Sequence, residues 1–357
     1  MRHGQSHESD AAKGPTLWSE LKDAVSPRAA LLVLGVLTLG VLFIASYAGA
    51  FHHPKPKDIS FGVVAPEPVS GQLVGAYGKL PGHPLSPRVV GSVEEARGQV
   101  ENRKLYAALV VDPRGTDDQL LVASGGGAAV SDAVAEIVDT VEAAGRPPRF
   151  AKTVDVAPID KGDQRGLSSF YLVVGWCVGG YLCAAILAIA YGARPANQRR
   201  AVVRLGVLAL YSIVLGLLGA VVIGPVLGAL PGSVVALWWL GALVSFAAGA
   251  TTFAFQSMAG VIGIGLTVLV IVIAGNPSAG GAYPYPLLPP FWRDIGPALI
   301  PGAGTWTARS IAYFDNRAMG GPLLVLGAWA LAGAAVTMVF ASLKKGRDTI
   351  DASEVRQ

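Results

Sequence analysis

Between Arg204 and Arg293 the chain contains no Asp, Glu, Lys, Arg or His. So long a stretch without an ionisable side chain cannot present a solvated surface, and it has to fold within a bilayer. The rest of the composition agrees. Only 15% of the 357 residues are charged, against roughly a quarter in ordinary soluble domains.

Six stretches reach or approach the ~20 residues of helix that a hydrocarbon core demands. They are Ala29–Phe51, Leu167–Ala193, Leu205–Leu230, Ser233–Phe255, Met258–Ala274 and Pro322–Leu343. The fold expected is a polytopic α-helical membrane protein with six transmembrane helices. Ala48-Gly49-Ala50 imitates a cleavage site, but the first apolar run exceeds the ~7–15 residues of a signal core and a polar tail precedes it. An uncleaved anchor is the reading that fits. Lys13, Lys22 and Arg28 precede the first span, Arg194, Arg199, Arg200 and Arg204 separate the second from the third, and Lys344, Lys345 and Arg347 follow the last. The positive-inside rule then makes residues 1–28 and 344–357 cytoplasmic tails of a multi-pass membrane protein; the location expected is the cell (plasma) membrane, of bacterial type.

Residues 52–165 are water-soluble in composition and alternate two patterns. Ser60–Val64, Tyr106–Val111, Gln119–Ala123 and Thr153–Val156 read as strands, while Val93–Asn102 and Val130–Ala144 read as amphipathic helices. This predicts a small α/β or α+β extracytoplasmic domain between helices 1 and 2. Its polar residues do not assemble into an active site. His83 lies in a Gly-His-Pro turn, His52 and His53 lie at the membrane surface, and Asp112, Asp117 and Asp118 lack an EF-hand pattern. Ser124-Gly125-Gly126-Gly127 lacks the spacing of a dinucleotide loop and reads as a strand-to-helix turn. Cys177 and Cys183 fall in one span on different faces and read as packing residues. No catalytic, cofactor-binding or metal-ligating residue is expected, and the domain reads as a binding or spacing module.

Spans free of ionisable groups disfavour proton- or ion-coupled transport, which needs a titratable relay. An internal engine is missing too. The nearest approach to a Walker A loop, Gly78-Lys79-Leu80, has Leu73 where the first glycine belongs. The net charge of +4 is spread around the spans, which speaks against a nucleic-acid partner.

Two cytoplasmic handles stand out. Thr16–Val25 reads as an interfacial helix with Leu17, Trp18, Leu21 and Val25 on its apolar face. Arg194–Arg204 is a basic loop without an acid, open to two readings: a topology signal or a partner-docking surface. On the other side, residues 275–304 interrupt the last two spans with prolines, glycines and aromatics. Irregular backbone facing lipid leaves polar groups unpaired, so this segment belongs in water, at the headgroups or against the bundle. Pro290 opens a short helix there, Pro297 and Pro301-Gly302 break it, and Thr305–Phe314 returns as a second.

The order of these elements resembles the membrane subunits of type-2 ABC exporters, in particular the phage-infection-protein-like group with a large outer domain between spans one and two. The resemblance rests on Asp163-Gln164-Arg165-Gly166-Leu167-Ser168-Ser169-Phe170-Tyr171, Gly275-Asn276-Pro277, Pro289-Pro290-Phe291-Trp292 and Pro301-Gly302-Ala303-Gly304. It implies a permease without its own ATPase, forming a homodimer or paired permease. A separate cytoplasmic ATPase subunit would bind the ATP and Mg. Residues 166–343 would form a five-helix membrane bundle with an outer interfacial hairpin, 275–320, carrying gate residues Phe291, Trp292, Arg293, Asp294, Trp306 and Arg309. Leu17, Trp18, Leu21, Val25, Arg194, Arg199, Arg200 and Arg204 would face the ATPase. Uncharged spans suit an amphiphilic or apolar cargo. The alternatives are a non-transporting protein whose outer domain binds a partner, a cell-wall component or a phage, and a secretion-system accessory subunit.

Overall fold

The computed structural model describes residues 26–145 and 147–354. The expected interfacial helix, with Leu17, Trp18, Leu21 and Val25, lies outside the described residues. Helix α1 (Pro27–Phe51) starts where Ser26 accepts the Ala29 N–H and Pro27 presets the first turn.

The interposed domain follows as a βα alternation: β1 (Ile59–Val64), α2 (Val69–Gly78), β2 (Leu85–Val89), α3 (Val93–Glu101), β3 (Ala107–Val110), β4 (Asp117–Val122), α4 (Ala128–Ala144) and β5 (Phe150–Asp155). The sheet order is β2-β1-β3-β4-β5, parallel except between β3 and β4. Of the two expected classes, α/β is the one that forms. Phe61, Val63, Leu109 and Leu120 bury one face of the sheet with Tyr77 of α2 and Val134 and Val138 of α4. Ala108 and Leu121 bury the other with Ala96 and Val100 of α3.

Elements α2 and β2 have no counterpart in the sequence reading. The α2 stretch contains three glycines and so has little helix propensity. Strand β2 contains Pro87 and is tolerated because it is an edge strand.

The remaining helices are α5 (Ser168–Tyr191), α6 (Gln198–Val221), α7 (Val234–Ala259), α8 (Ile262–Thr267), α9 (Pro290–Ile295), α10 (Ile300–Tyr313) and α11 (Gly320–Glu354). Gly224-Pro225 falls in a π-helical turn, Val222–Val226, that extends α6. Five helices (α1, α5, α6 with its extension, α7 and α11) are long and apolar enough to cross a membrane, as a polytopic helical membrane protein requires. The sixth expected span is different. Helix α7 runs on to Ala259, Gly260 caps it at φ +64°, and only Ile262–Gly275 remains as a short α- then π-helical segment. At 1.5 Å per α-helical residue that is about 20 Å, short of a ~30 Å hydrocarbon core.

Helix α7 is the axis of the bundle, packed by α5, α6, α8, α10 and α11. Close approach explains its composition. Trp176 of α5 lies against Gly219 of α6 and Gly241 of α7, where any side chain would overlap the indole. Helix α1 stands apart, touching mainly the Val268–Gly275 segment, to which Ser46 donates through its hydroxyl at the Ile273 carbonyl.

Candidate functional site: the hairpin between domain and bundle

Residues 275–281 are buried, so the glycine- and proline-rich segment is packed inside the molecule. It contributes to both cores. Leu287 enters the α/β core beside Phe61 and Leu109, and Ile300 enters the bundle core beside Ile271 and Val244. Between them α9 and α10 form a hairpin. Its tip is deep: the Ala298 carbonyl accepts from Trp329 Nε1 at 2.8 Å, about 14 Å along α11 from Gly320 at 1.5 Å per residue. Helix α10 then climbs past Val173 and Val244, which crowd Gly304, to Tyr313, which crowds Gly125 of the α/β domain. The returning helix starts at Ile300, ahead of the expected Thr305, because Pro301 occupies the first turn of α10, where a missing N–H costs nothing.

The backbone polarity at this junction is gathered by one residue. Arg309 is 3% exposed. It donates from Nη1 to the carbonyls of Gly280 (2.7 Å) and Gly126 (3.2 Å), and from Nη2 to those of Gly281 (2.8 Å) and Gly166 (3.1 Å). Three separate segments thus meet on one guanidinium: the β4–α4 turn, the return into α5, and the loop before α9. The run Gly125-Gly126-Gly127 is explained by the same contact. A Cβ at Gly125 would overlap Tyr313, and Gly127, at φ +138°, lies against Pro284. The glycines are where the domain seats on the hairpin.

A second arginine reaches across from the domain. Arg103 sits just past α3 at φ +57°. Its guanidinium lies over the Trp306 ring at 3.5 Å from the centroid and 4.8 Å from that of Phe314. It donates at 2.8 Å to the Trp306 carbonyl and to Ser310 Oγ. Burial first, then the facing Arg309, lower its pKa to about 9, which leaves it charged at neutral pH. Tyr313 donates to Asp163 Oδ2 at 2.7 Å, and Asp163 Oδ1 accepts the Ser168 N–H at the start of α5. Arg317 pairs with Glu101 at the end of α3.

The expected gate residues therefore divide. Trp306 and Arg309 sit in this junction. Phe291, Trp292, Arg293 and Asp294 sit on α9 at the surface. Phe291 is 61% exposed, Trp292 meets it edge-on, and Arg293 lies 3.5 Å from Asp294 and 3.8 Å from Asp58. Sequence reasoning missed Arg103, whose only signal was an ordinary basic residue at a helix end. It also missed the seat at Gly125–Gly127, read as a plain turn.

On the opposite end of the bundle, Arg199 and Arg200 are exposed in the first turn of α6. Arg194, also exposed, donates to the Met258 carbonyl at 2.9 Å. Arg204 is not part of that surface: it is 6% exposed and donates to the Tyr191 carbonyl at the end of α5. Among the described residues no group of His, Cys, Asp and Glu is arranged to hold a metal ion. No family model matches the chain, and no curated protein or solved structure matches it either.

Proposed function

We propose that the chain is the membrane-spanning permease subunit of an ABC-type exporter that moves an amphiphilic or apolar solute outward. A separate cytoplasmic ATPase supplies the work, and the permease acts as a homodimer or with a second permease. The α/β domain then lies outside the cytoplasm, and Arg194, Arg199 and Arg200 belong to the ATPase-facing surface. The observation that carries this reading is the α9–α10 hairpin. Its tip is sunk against α11, in a bundle whose chain from Leu205 to Trp292 carries no charge, while its other end is fastened to the α/β domain through Arg309 and Arg103. Such a hairpin is suited to open and close a path between uncharged helices when the domain moves. Phe291, Trp292, Arg293 and Asp294 form its outer limb, at the lip of that path.

The test is purification from native membranes followed by reconstitution in liposomes with whatever ATPase co-purifies. The expected result is ATP-dependent outward movement of a fluorescent amphiphile, weakened several-fold in Trp292→Ala. A chain that purifies without an ATPase and supports no nucleotide-dependent flux overturns the proposal, leaving a membrane-anchored binding domain as the surviving reading.

A further inference from the structure

Arg103 and Arg309 face one another across the junction without an acid between them. Among the described residues, no carboxylate oxygen lies within 4.0 Å of either guanidinium. The nearby acids are already engaged: Asp163 with Tyr313 and the Ser168 N–H, Glu101 with Arg317. Arg309 is buried and Arg103 half-buried. Carbonyls, the Ser310 hydroxyl and the Trp306 and Phe314 rings compensate them without any counter-charge, which is costly, and Arg309 Nε is buried with no partner among the described residues.

The same two arginines line a cleft. One part, of about 10 Å³, is bounded by Arg103, Arg309, Tyr106, Tyr285 and Trp306. A neighbouring part, of about 20 Å³, shares Arg103, Tyr106 and Trp306 and is lined also by Phe314. This is room for one or two water-sized species. Neither phenol hydroxyl, of Tyr106 or of Tyr285, hydrogen-bonds to any described residue, so two further donors are free in the walls.

We propose that this cleft is a binding site for one small monovalent inorganic anion of halide size. The anion sits between the Arg103 and Arg309 guanidiniums and accepts from the phenols. The water-sized volumes suit a halide rather than a phosphate or an organic carboxylate, and the charge of the walls favours an anion over water. The site joins the end of α3 to α10, so its occupant ties the α/β domain to the hairpin. The inference rests on the junction geometry alone and stands or falls independently of export.

The test uses the full chain, purified in detergent, with chloride or bromide replacing gluconate at constant ionic strength. Thermal stability is expected to rise saturably by about 3 °C in chloride, with bromide acting likewise. The Tyr106→Phe/Tyr285→Phe double variant keeps the packing and removes both hydroxyls. It is expected to lose most of that rise while matching the wild type in gluconate. Bromide exchange before structure determination places an anomalous scatterer between the two guanidiniums. Identical melting in all three salts overturns the proposal, as does an equal halide response in wild type and double variant. So does a cleft that holds only water in the bromide-exchanged protein.

Discussion

The α/β domain and the helix bundle both bury large apolar side chains but differ in what they place among them. The domain buries large side chains, Ile59, Phe61, Leu109 and Leu120, and admits charge as long as it is paired. Asp118 and Glu142 are 1% and 5% exposed. Arg149 grips Asp118 at 2.6 Å, and Tyr77 donates to Glu142 at 2.7 Å. The bundle centre holds no charge among the described residues, and its large buried side chains, Trp176, Leu237, Ile271 and Ile300, are set among small ones. Helix α7 buries Gly241, Ala242, Ser245, Ala247, Ala248 and Gly249, with only Leu240 and Val244 as larger buried residues in that stretch. Within the bundle the order of apolarity is even inverted. Helix α1 is more apolar than α7, yet 6% of its most apolar stretch is buried inside the protein against 61% for α7. Water drives large apolar groups together in the domain. Between helices in lipid that force is absent, and close approach of small residues decides which helix is central.

Glycine substitution separates the two regimes most sharply. A Cβ at Gly241 would sit 2.8 Å from the Gly216 Cα and inside the Trp176 indole, whereas one at Gly35 of α1 meets nothing within 4 Å. Gly241→Leu is expected to cost about 3 kcal/mol or more through overpacking and to abolish a monodisperse peak in detergent. Gly35→Leu, with the larger gain in apolarity, is expected to leave yield and melting temperature unchanged. Equal effects at the two sites would break the contrast between central and lipid-facing helices.

The junction carries the next largest effect, because there the two regimes meet on one side chain. Arg309→Ala leaves four carbonyls without their shared donor, two of them on the buried loop before α9. A loss of about 3 kcal/mol follows from the usual worth of charged hydrogen bonds in buried surroundings. Arg309→Lys keeps the charge but not the planar fork, and is expected to recover only part of it. Melting temperature reads the cost. Proteolysis within 275–290, expected to accelerate in both variants, reads where it falls. Unchanged protection in Arg309→Ala would mean that the seat at Gly125–Gly127 holds the domain on its own.

How much of this was legible follows the same physics. Periodicity identified α3, α4 and four strands, because in water one face of each element must be apolar. The long spans were visible as runs, though α6 begins at Gln198, ahead of the apolar stretch, because Asn197 caps it. The sixth span was overdrawn. Apolarity alone does not distinguish a helix that crosses from one that stops, and the boundary is set by a left-handed Gly260 that one-residue composition cannot flag. At the site, Trp306 and Arg309 were singled out through the resemblance to type-2 exporters, while the contacts that Arg309 makes with three separate segments were not foreseen. Arg103 and the Gly125–Gly127 seat were not, since their role exists only once α10 lies against them, a contact between residues about 200 apart in sequence.

The smallest effect tests the claim that the domain, unlike the centre of the bundle, tolerates buried charge. Burial raises the Glu142 carboxyl's pKa above its ordinary 4.5, and Asp118 beside it adds to this; the hydrogen bond from Tyr77 and the charge of Arg149 act the other way. The folded chain therefore keeps the proton at a pH where the unfolded chain has lost it. The sign is fixed by linkage: this stabilising contribution is full below the unfolded pKa and is lost as pH rises through the folded one. Glu142→Gln retains an oxygen to accept from Tyr77 and cannot titrate. Hydrogen exchange at the α4 amides of the full chain is expected to quicken in the wild type as pH is raised from about 4.5, after correction for the intrinsic exchange rate. The variant is expected to show no such slope, with Arg149 still held by Asp118. A slope that survives in Glu142→Gln would assign the titration to another group. The paired carboxylates would then be as inert as the serines and threonines at the centre of the bundle.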